Sequence, residues 1–468
     1  MADSLISVIK MKILTAFLAK KTVYFVLYRQ KDLYGMKKYF GGLFGIIIIA
    51  AMSACSSGKK AESALKGIAK PGETAVASKN SAAGGEEYSL PAIESKFLDH
   101  DAQSTRVYLF VTINKGRRPI TTDEFRKGFN LNYVIYGDYG SRDRLGYGNV
   151  PLDERSVVKS GDQILVQFDI KKPSGKESGV VLSEISEAGT MKKSLNDLPV
   201  RFANLKISDR YGVFDSATGS LVNRNYIHSG EKIVIKTLGG EDALLQGAYY
   251  NHVFEPAGSP MNTAPRTASK TLNVDSTFQA NAGQAISLAS RGLYYFTTDT
   301  SKHEGLGVLV TNDRYPKMTY PEQLTGPVQY MSTNAEIKIM QGADDPKKAL
   351  DRYWLSLMNG HQDLARNVIK NYYARVEDAN RLFTTYKEGW KTDKGMIFII
   401  LGNPDKVQRS KDREVWVYNQ RGGANNINFT FNKRNNQFVD NHYELVRYVE
   451  YQPIWYPIVE AWRTGSFR

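Results

Sequence analysis

Between about residues 97 and 313, short apolar-alternating or β-branched runs recur between turn signals of Gly, Asp and Asn. They predict strands at Arg106–Ile113, Asn130–Tyr136, Ile164–Ile170, Gly179–Ile185, Lys232–Thr237, Tyr249–Phe254, Ala285–Leu288, Leu293–Thr298 and Leu306–Thr311. No segment there has a convincing helical period. The spacing suits two tandem β-sandwich (Ig-like) domains, at 97–210 and 211–320. The pattern changes after about residue 315. Asp345-Pro346 reads as an N-cap followed by Pro at the first helical position. Ala349, Leu350, Tyr353, Trp354, Leu357 and Met358 then share one helical face. A longer helix follows on Leu364, Val368, Tyr372, Val376, Ala379, Phe383 and Tyr386, with Gly389 as its left-handed cap.

Beyond that helix the reading is a four-stranded meander: Met396–Leu401, Glu414–Tyr418, Ile427–Phe431 and Phe438–Arg447. Ile427, Phe429 and Phe431 alternate with Asn428, Thr430 and Asn432, so one face is wet and the helix pair covers the other. The expectation is a C-terminal helix-pair-plus-antiparallel-sheet domain over 321–468, making the chain mostly β plus α+β. Its aromatic end, Pro453-Ile454-Trp455-Tyr456-Pro457, either packs back or meets a partner. All five tryptophans lie at or beyond Trp354, which sets this third of the chain apart.

The N-terminal pattern differs again. Met36-Lys37-Lys38 opens a basic region, Phe40 to Ala51 is apolar, and Met52-Ser53-Ala54-Cys55 resembles the lipobox of bacterial lipoproteins. Cys55 is the chain's one cysteine, which also excludes an intramolecular disulfide and a Cys-based zinc site. The resemblance implies a signal peptide at 36–54, cleavage before Cys55, and its acylation (palmitate) as a membrane anchor; the competing reading is a short anchor with an incidental cysteine. Residues 1–35 then read as an extension from a misplaced start codon, or as a longer basic region. Ser56, rather than aspartate, follows the cysteine, which resembles the pattern of lipoproteins sorted to the outer membrane, and no acidic run follows to suggest surface export. Residues 55–96, rich in Ser, Gly, Ala and Lys up to about Pro91, read as a flexible tether.

That reading changes the charge. Residues 1–35 contribute +4 and Lys37 and Lys38 a further +2, leaving +8 of the chain's +14 on the mature protein. Basic clusters such as Lys115-Gly116-Arg117-Arg118 are short and hairpin-like, so nucleic acid is not an expected partner.

Gly389-Trp390-Lys391-Thr392-Asp393 and the following Lys394-Gly395 to Gly402-Asn403-Pro404-Asp405 form the one specific motif. With Tyr372 to Phe383 upstream and Val415-Trp416-Val417-Tyr418 downstream, this segment resembles the GWxTD-domain family, whose members are typically exported lipoproteins of Gram-negative bacteria. The resemblance implies no established activity. The residues themselves suggest fold chemistry. Gly389 supplies positive φ, Trp390 fills a helix–sheet corner, Thr392 and Asp393 bond local backbone, Gly395 lets the chain enter a strand closely, and Gly402 with Pro404 sets the next turn. The alternative makes Trp390 and Asp393 part of a partner-binding notch.

Catalytic chemistry is not expected. Ser156-Val157-Val158-Lys159 stands alone among β residues, Gly146-x-Gly148 and Gly305-x-Gly307 lack a third glycine, and the six histidines are scattered. No cofactor, metal or small-molecule substrate is indicated. The functional expectation is a non-enzymatic scaffold lipoprotein of the outer membrane, facing the periplasm, with an envelope protein as partner. Two alternatives stay open. One is an accessory subunit of outer-membrane protein assembly or secretion, from a faint similarity of 399–431 to the small lipoprotein subunit of the β-barrel assembly machine. The other is a cell-wall glycan-binding protein or enzyme.

Overall fold

A computed structural model describes residues 73–74, 87–264, 272–419 and 426–467. The first sandwich stacks the strands Ala92–Asp99, Ser104–Thr112, Gln163–Lys171 and Val157–Ser160 on a second sheet, ordered Lys193–Arg201, Ser178–Glu187, Phe129–Tyr136 and Arg144–Val150. All neighbours are antiparallel. Alternate residues of the two inner faces, such as Val107, Leu109, Val111, Leu131, Ile135, Val181 and Ile185, make the core. One end is plugged by Phe125, from a short helix, Thr122–Gly128, that the apolar pattern does not reveal. Its signal lies elsewhere in the sequence: Thr121 and Glu124 form a reciprocal capping box.

The first strand starts at Ala92, inside the stretch read as tether, because Ile93 and Phe97 pack on the sandwich core between solvated neighbours. Further back, Glu73–Thr74 pairs with the edge strand Lys406–Ser410.

The second sandwich has one sheet of Gly212–Asp215, Lys232–Lys236 and Ala285–Ser287. The other runs Tyr226–His228, Leu306–Thr311, Gly292–Thr297, Leu244–Tyr250 and Ser276–Asn281. Here Tyr226–His228 pairs in parallel with Leu306–Thr311. Phe296, Ile233, Ile235, Leu245, Val308 and Val310 fill its core. The two sandwiches share a smaller apolar cluster in which Tyr108, Phe110 and Leu165 meet Phe214 and Leu221. Strand Ser104–Thr112 is therefore buried on both faces, which explains its near-continuous apolar run.

In the C-terminal domain, helix Pro346–Leu357 begins at Asp345, whose carboxylate accepts the Lys348 N–H at 3.0 Å. The long helix Gln362–Phe383 buries Ala365, Val368, Tyr372, Val376 and Ala379, the face its periodicity predicts. The largest departure from the sequence reading follows. Met396–Leu401 is not a strand but most of a helix, Asp393–Leu401. Every position from Met396 to Ile400 is buried, so the run has no polar face and its period cannot distinguish the two structures. Thr392 as N-cap and Gly402 as a positive-φ cap bracket it. The strand next in order is Lys406–Ser410, and the sheet continues through Arg413–Tyr418, Ile427–Lys433 and a short Tyr443–Leu445. The predicted strand Phe438–Arg447 shrinks to those three residues, and 434–442 becomes a loop. The aromatic end is a helix, Gln452–Arg463, that packs back: Trp462 donates to the Ile400 carbonyl at 3.1 Å, and its ring stacks on Phe467 at 4.0 Å.

Candidate functional site

The motif at 389–395 sits where the long helix, the buried helix and the sheet converge. Gly389 does not carry the positive φ expected of it; the long helix has already ended at Phe383. Gly389 opens a 3₁₀ turn, Gly389–Lys391, pressed so closely on the long helix that a Cβ would stand 2.0 Å from the Ala379 carbonyl oxygen. Gly395, expected at a strand entry, lies instead in the buried helix, where a Cβ would stand 1.9 Å from the Gly389 carbonyl oxygen. The two glycines are thus required by close approach.

Trp390 is buried, as its size predicts. Its backbone N–H donates to the Asn380 side-chain oxygen at 2.9 Å, its carbonyl accepts the Tyr330 hydroxyl at 2.7 Å, and its ring lies where a side chain at Gly326 would be. Thr392 caps the buried helix, accepting the Gly395 N–H at 3.0 Å and donating to the Gly389 carbonyl at 2.8 Å. Asp393 does not serve the local turn. Its carboxylate accepts the Leu445 N–H at 2.8 Å and pairs with Arg447 at 2.5 Å, tying the helix start to the far edge of the sheet. Arg447 in turn donates to the Gly258 and Ser259 carbonyls, in the stretch that follows strand Leu244–Tyr250 within the second sandwich. At the other end, Arg375 caps the helix by donating to the Ile399 and Ile400 carbonyls, and the Gly402 carbonyl accepts the Tyr418 hydroxyl at 2.9 Å. Burial pushes the Arg375 guanidinium down to about 10. Pro404 is buried in the following turn. Cys55 lies outside the described residues.

Next to the motif runs a line of buried charge that sequence reasoning missed. Lys394 pairs with Glu414 at 3.0 Å, Glu414 also meets Arg409 at 3.4 Å, and Arg409 reaches Asp197 of the first sandwich at 2.9 Å. Burial would raise the Glu414 carboxyl, but Lys394, Arg409 and the Trp416 indole N–H outweigh it and hold it down to about 2. A second node is Asp440, in the 434–442 loop, which pairs with Lys206 at 2.6 Å, Arg201 at 2.8 Å and Lys433 at 3.4 Å. Against the cost of burial, those cations keep its carboxyl well below the usual range. Two residues earlier, Phe438 inserts between Tyr250 and Tyr295 of the second sandwich, with ring centroids 5.4 and 5.5 Å away.

This defines a class: two β-sandwiches held by an α+β domain whose signature corner is a packing joint. Residues 292–464 match the family model described as the GWxTD domain, so the chain carries that domain there. The match includes the last two strands of the second sandwich, the ones that receive Phe438. No curated protein matches the sequence significantly. Among solved structures, the full ectodomain (Ig1–Ig3) of mouse nectin-like molecule 4 is similar at 10% identity and a TM-score of 0.15, covering 48% of this chain, which spans 65% of that ectodomain. Dpr2 Ig1–Ig2 in complex with DIP-Theta Ig1–Ig3 is similar at 13% identity and a TM-score of 0.16, covering 48% of this chain and 100% of that one. The sandwich assignment itself rests on the strand order and register given above.

Proposed function

We propose that this chain is a non-enzymatic, outer-membrane-anchored periplasmic lipoprotein that serves as a scaffold and protein-interaction module of the cell envelope. The observation that carries the reading is the burial of the motif. Gly389, Trp390, Thr392, Asp393 and Gly395 are all engaged inside the fold. Their work is to fix the joint that presents the sandwiches, not to meet a ligand. The sandwiches keep surfaces suited to protein contact. Strand Arg144–Val150 is a sheet edge, and Tyr147 on it is 81% exposed. The envelope location rests on the Met36–Cys55 pattern.

The test is crosslinking in intact cells, then affinity capture of the full chain from detergent-solubilised membranes, with Cys55→Ser alongside. A discrete envelope protein captured with the chain, and release or failed processing of Cys55→Ser, are the expected results. A β-barrel assembly component as that protein would narrow the scaffold to an accessory subunit. Recovery of the chain without any crosslinked protein, or a membrane-bound and normally processed Cys55→Ser, would sink the proposal.

A further inference from the structure

The four edge strands of the first sandwich are not protected alike. Lys193–Arg201 carries Lys193, Asp197, Pro199 and Arg201, Ala92–Asp99 carries Glu94, Lys96 and Asp99, and Val157–Ser160 is four residues long with Lys159 among them. Charge, proline and shortness are the usual defences of a sheet edge. Arg144–Val150 has seven residues, and after Arg144 at its start none is charged or proline. It pairs on one side with Phe129–Tyr136; among the described residues no strand or other backbone segment pairs with its outer side. That leaves a row of unpaired N–H and C=O groups roughly 24 Å long.

The strand reads nearly the same in both directions. Tyr147 stands at its centre, with Gly146 and Gly148 on either side. The glycines have a local reason: a Cβ on Gly148 would stand 2.9 Å from the Tyr133 ring, and one on Gly146 3.3 Å from the Ile135 side chain. Tyr147 belongs to the opposite face, opposite Val134 in register and 81% exposed. The two ends differ in charge. Arg142 and Arg144 outweigh Asp143 at the start, and Asp153 and Glu154 outweigh Arg155 in the turn after the end; all six are exposed.

We propose that this edge joins a second copy of the chain, the two Arg144–Val150 strands pairing antiparallel about a two-fold axis at Tyr147. Such a pair sets Gly146 against Gly148 and Leu145 against Asn149, so no like charges oppose each other. Tyr147 meets its own counterpart as an aromatic cross-strand pair. The basic start of each strand comes to lie beside the acidic turn of the other, twice by symmetry. An unrelated strand would gain the same edge hydrogen bonds, but it would leave the palindromic pattern and the opposed end charges without a role. One strand pair is smaller than a standard interface, so the dimer is reversible. The proposal rests on the scaffold reading's use of this edge for protein contact and names its occupant.

The test uses the purified full chain in detergent. Tyr147→Cys puts a thiol on the axis, where facing Cα atoms about 4.5–5.5 Å apart fit a disulfide. Mild oxidation should convert it to a covalent dimer, whereas the parent and Arg144→Cys, whose partner would be Val150, stay largely monomeric. Sedimentation of the parent should show a dimer that grows with concentration. Arg142→Glu/Arg144→Glu should shift that equilibrium at least about fivefold towards monomer with an unchanged melting temperature, and adding Glu154→Arg should restore it. A parent that is monomeric at every concentration, a Tyr147→Cys that does not crosslink, or equal crosslinking by Arg144→Cys overturns the proposal. So does oxidation in intact cells that joins Tyr147→Cys to a different protein. Capture of an envelope protein bears on the scaffold reading alone, so either can fail without the other.

Discussion

The C-terminal domain holds its two sandwiches by opposite chemistries, using residues two apart in one loop. Phe438 enters the second sandwich as an apolar plug among Tyr250, Leu293, Tyr295 and Tyr386. The fit is close enough that the Gly307 N–H donates to the Phe438 carbonyl at 2.9 Å, and a Cβ on Gly307 would stand 2.5 Å from that oxygen. Asp440 instead grips the end of the first sandwich through Arg201 and Lys206, with Arg409 and Asp197 as a second clamp. Apolar burial is nearly indifferent to pH and salt and loose about direction. Buried ion pairs give little net stability, yet losing one partner strands a charge. One seam supplies adhesion and the other supplies registry under set conditions.

The sharpest way to break the first seam is Phe438→Ala. Truncating a buried phenylalanine costs about 3–5 kcal/mol. Denaturant unfolding and limited proteolysis should show a large loss, with the second sandwich loosened from the C-terminal domain. The loss should be the same at low and high salt. A deficit that salt modulates would mean the plug acts through its charged neighbour.

Acid should weaken the other seam and leave the apolar one untouched. The folded Glu414 carboxyl sits at about 2, against an ordinary value of 4.5. Its folded value is depressed, so its contribution is complete above the unfolded value and is lost as pH falls through the window from about 4.5 to about 2. Asp440, held low by Lys206, Lys433 and Arg201 against burial, follows the same sign. Lys394, though burial pushes its ammonium down, stays protonated in both states across this acid window and adds no slope there. On the order of 2 kcal/mol should therefore disappear on acidification. Glu414→Gln should flatten that acid limb in a melting-temperature series, whereas Phe438→Ala should leave its shape unchanged. An acid limb identical in Glu414→Gln would remove this carboxylate from the seam.

The contrast also explains what the sequence could disclose. Repeating local signals were legible: most strand runs of both sandwiches (Tyr249–Phe254 overlaps only the end of the strand Leu244–Tyr250), the Asp345-Pro346 helix start and the inward face of Gln362–Phe383. The buried helix was misread because an apolar run without a polar face has no usable period, and only Thr392 and Gly402 marked its ends. Motif roles went astray for a related reason. Asp393 looks like a turn residue beside its neighbours, but its partners lie at Leu445 and Arg447. Asp440 is further still from Arg201 and Lys206, and nothing local in Val439-Asp440-Asn441 announces a salt-bridge node.

A third seam, between the sandwiches, gives the smallest and most specific test. Lys96 is half-buried in strand Ala92–Asp99, and its ammonium donates to the Val222 carbonyl at 3.0 Å. Burial, aided by Arg224 and opposed by Glu94, pushes its ammonium down to about 8. As with Glu414 the folded value is depressed and stability rises with pH, but here it is the charged form that the fold disfavours. Below about 8 the fold bears a buried charge; above it the folded chain loses a proton that the unfolded chain keeps up to its ordinary value of 10.5. Stability therefore rises as pH increases through that window. Tyr108, pushed up to about 12 by burial, opposes the rise only above its ordinary 10.0. Between about pH 7.5 and about pH 9 the expected gain is about 1 kcal/mol. Lys96→Met should abolish it while filling the same space, and should be at least as stable as the parent near neutrality, because a buried charge is replaced by an apolar chain. Paired unfolding curves at the two pH values decide the matter: an alkaline gain that survives in Lys96→Met would place the titrating group elsewhere.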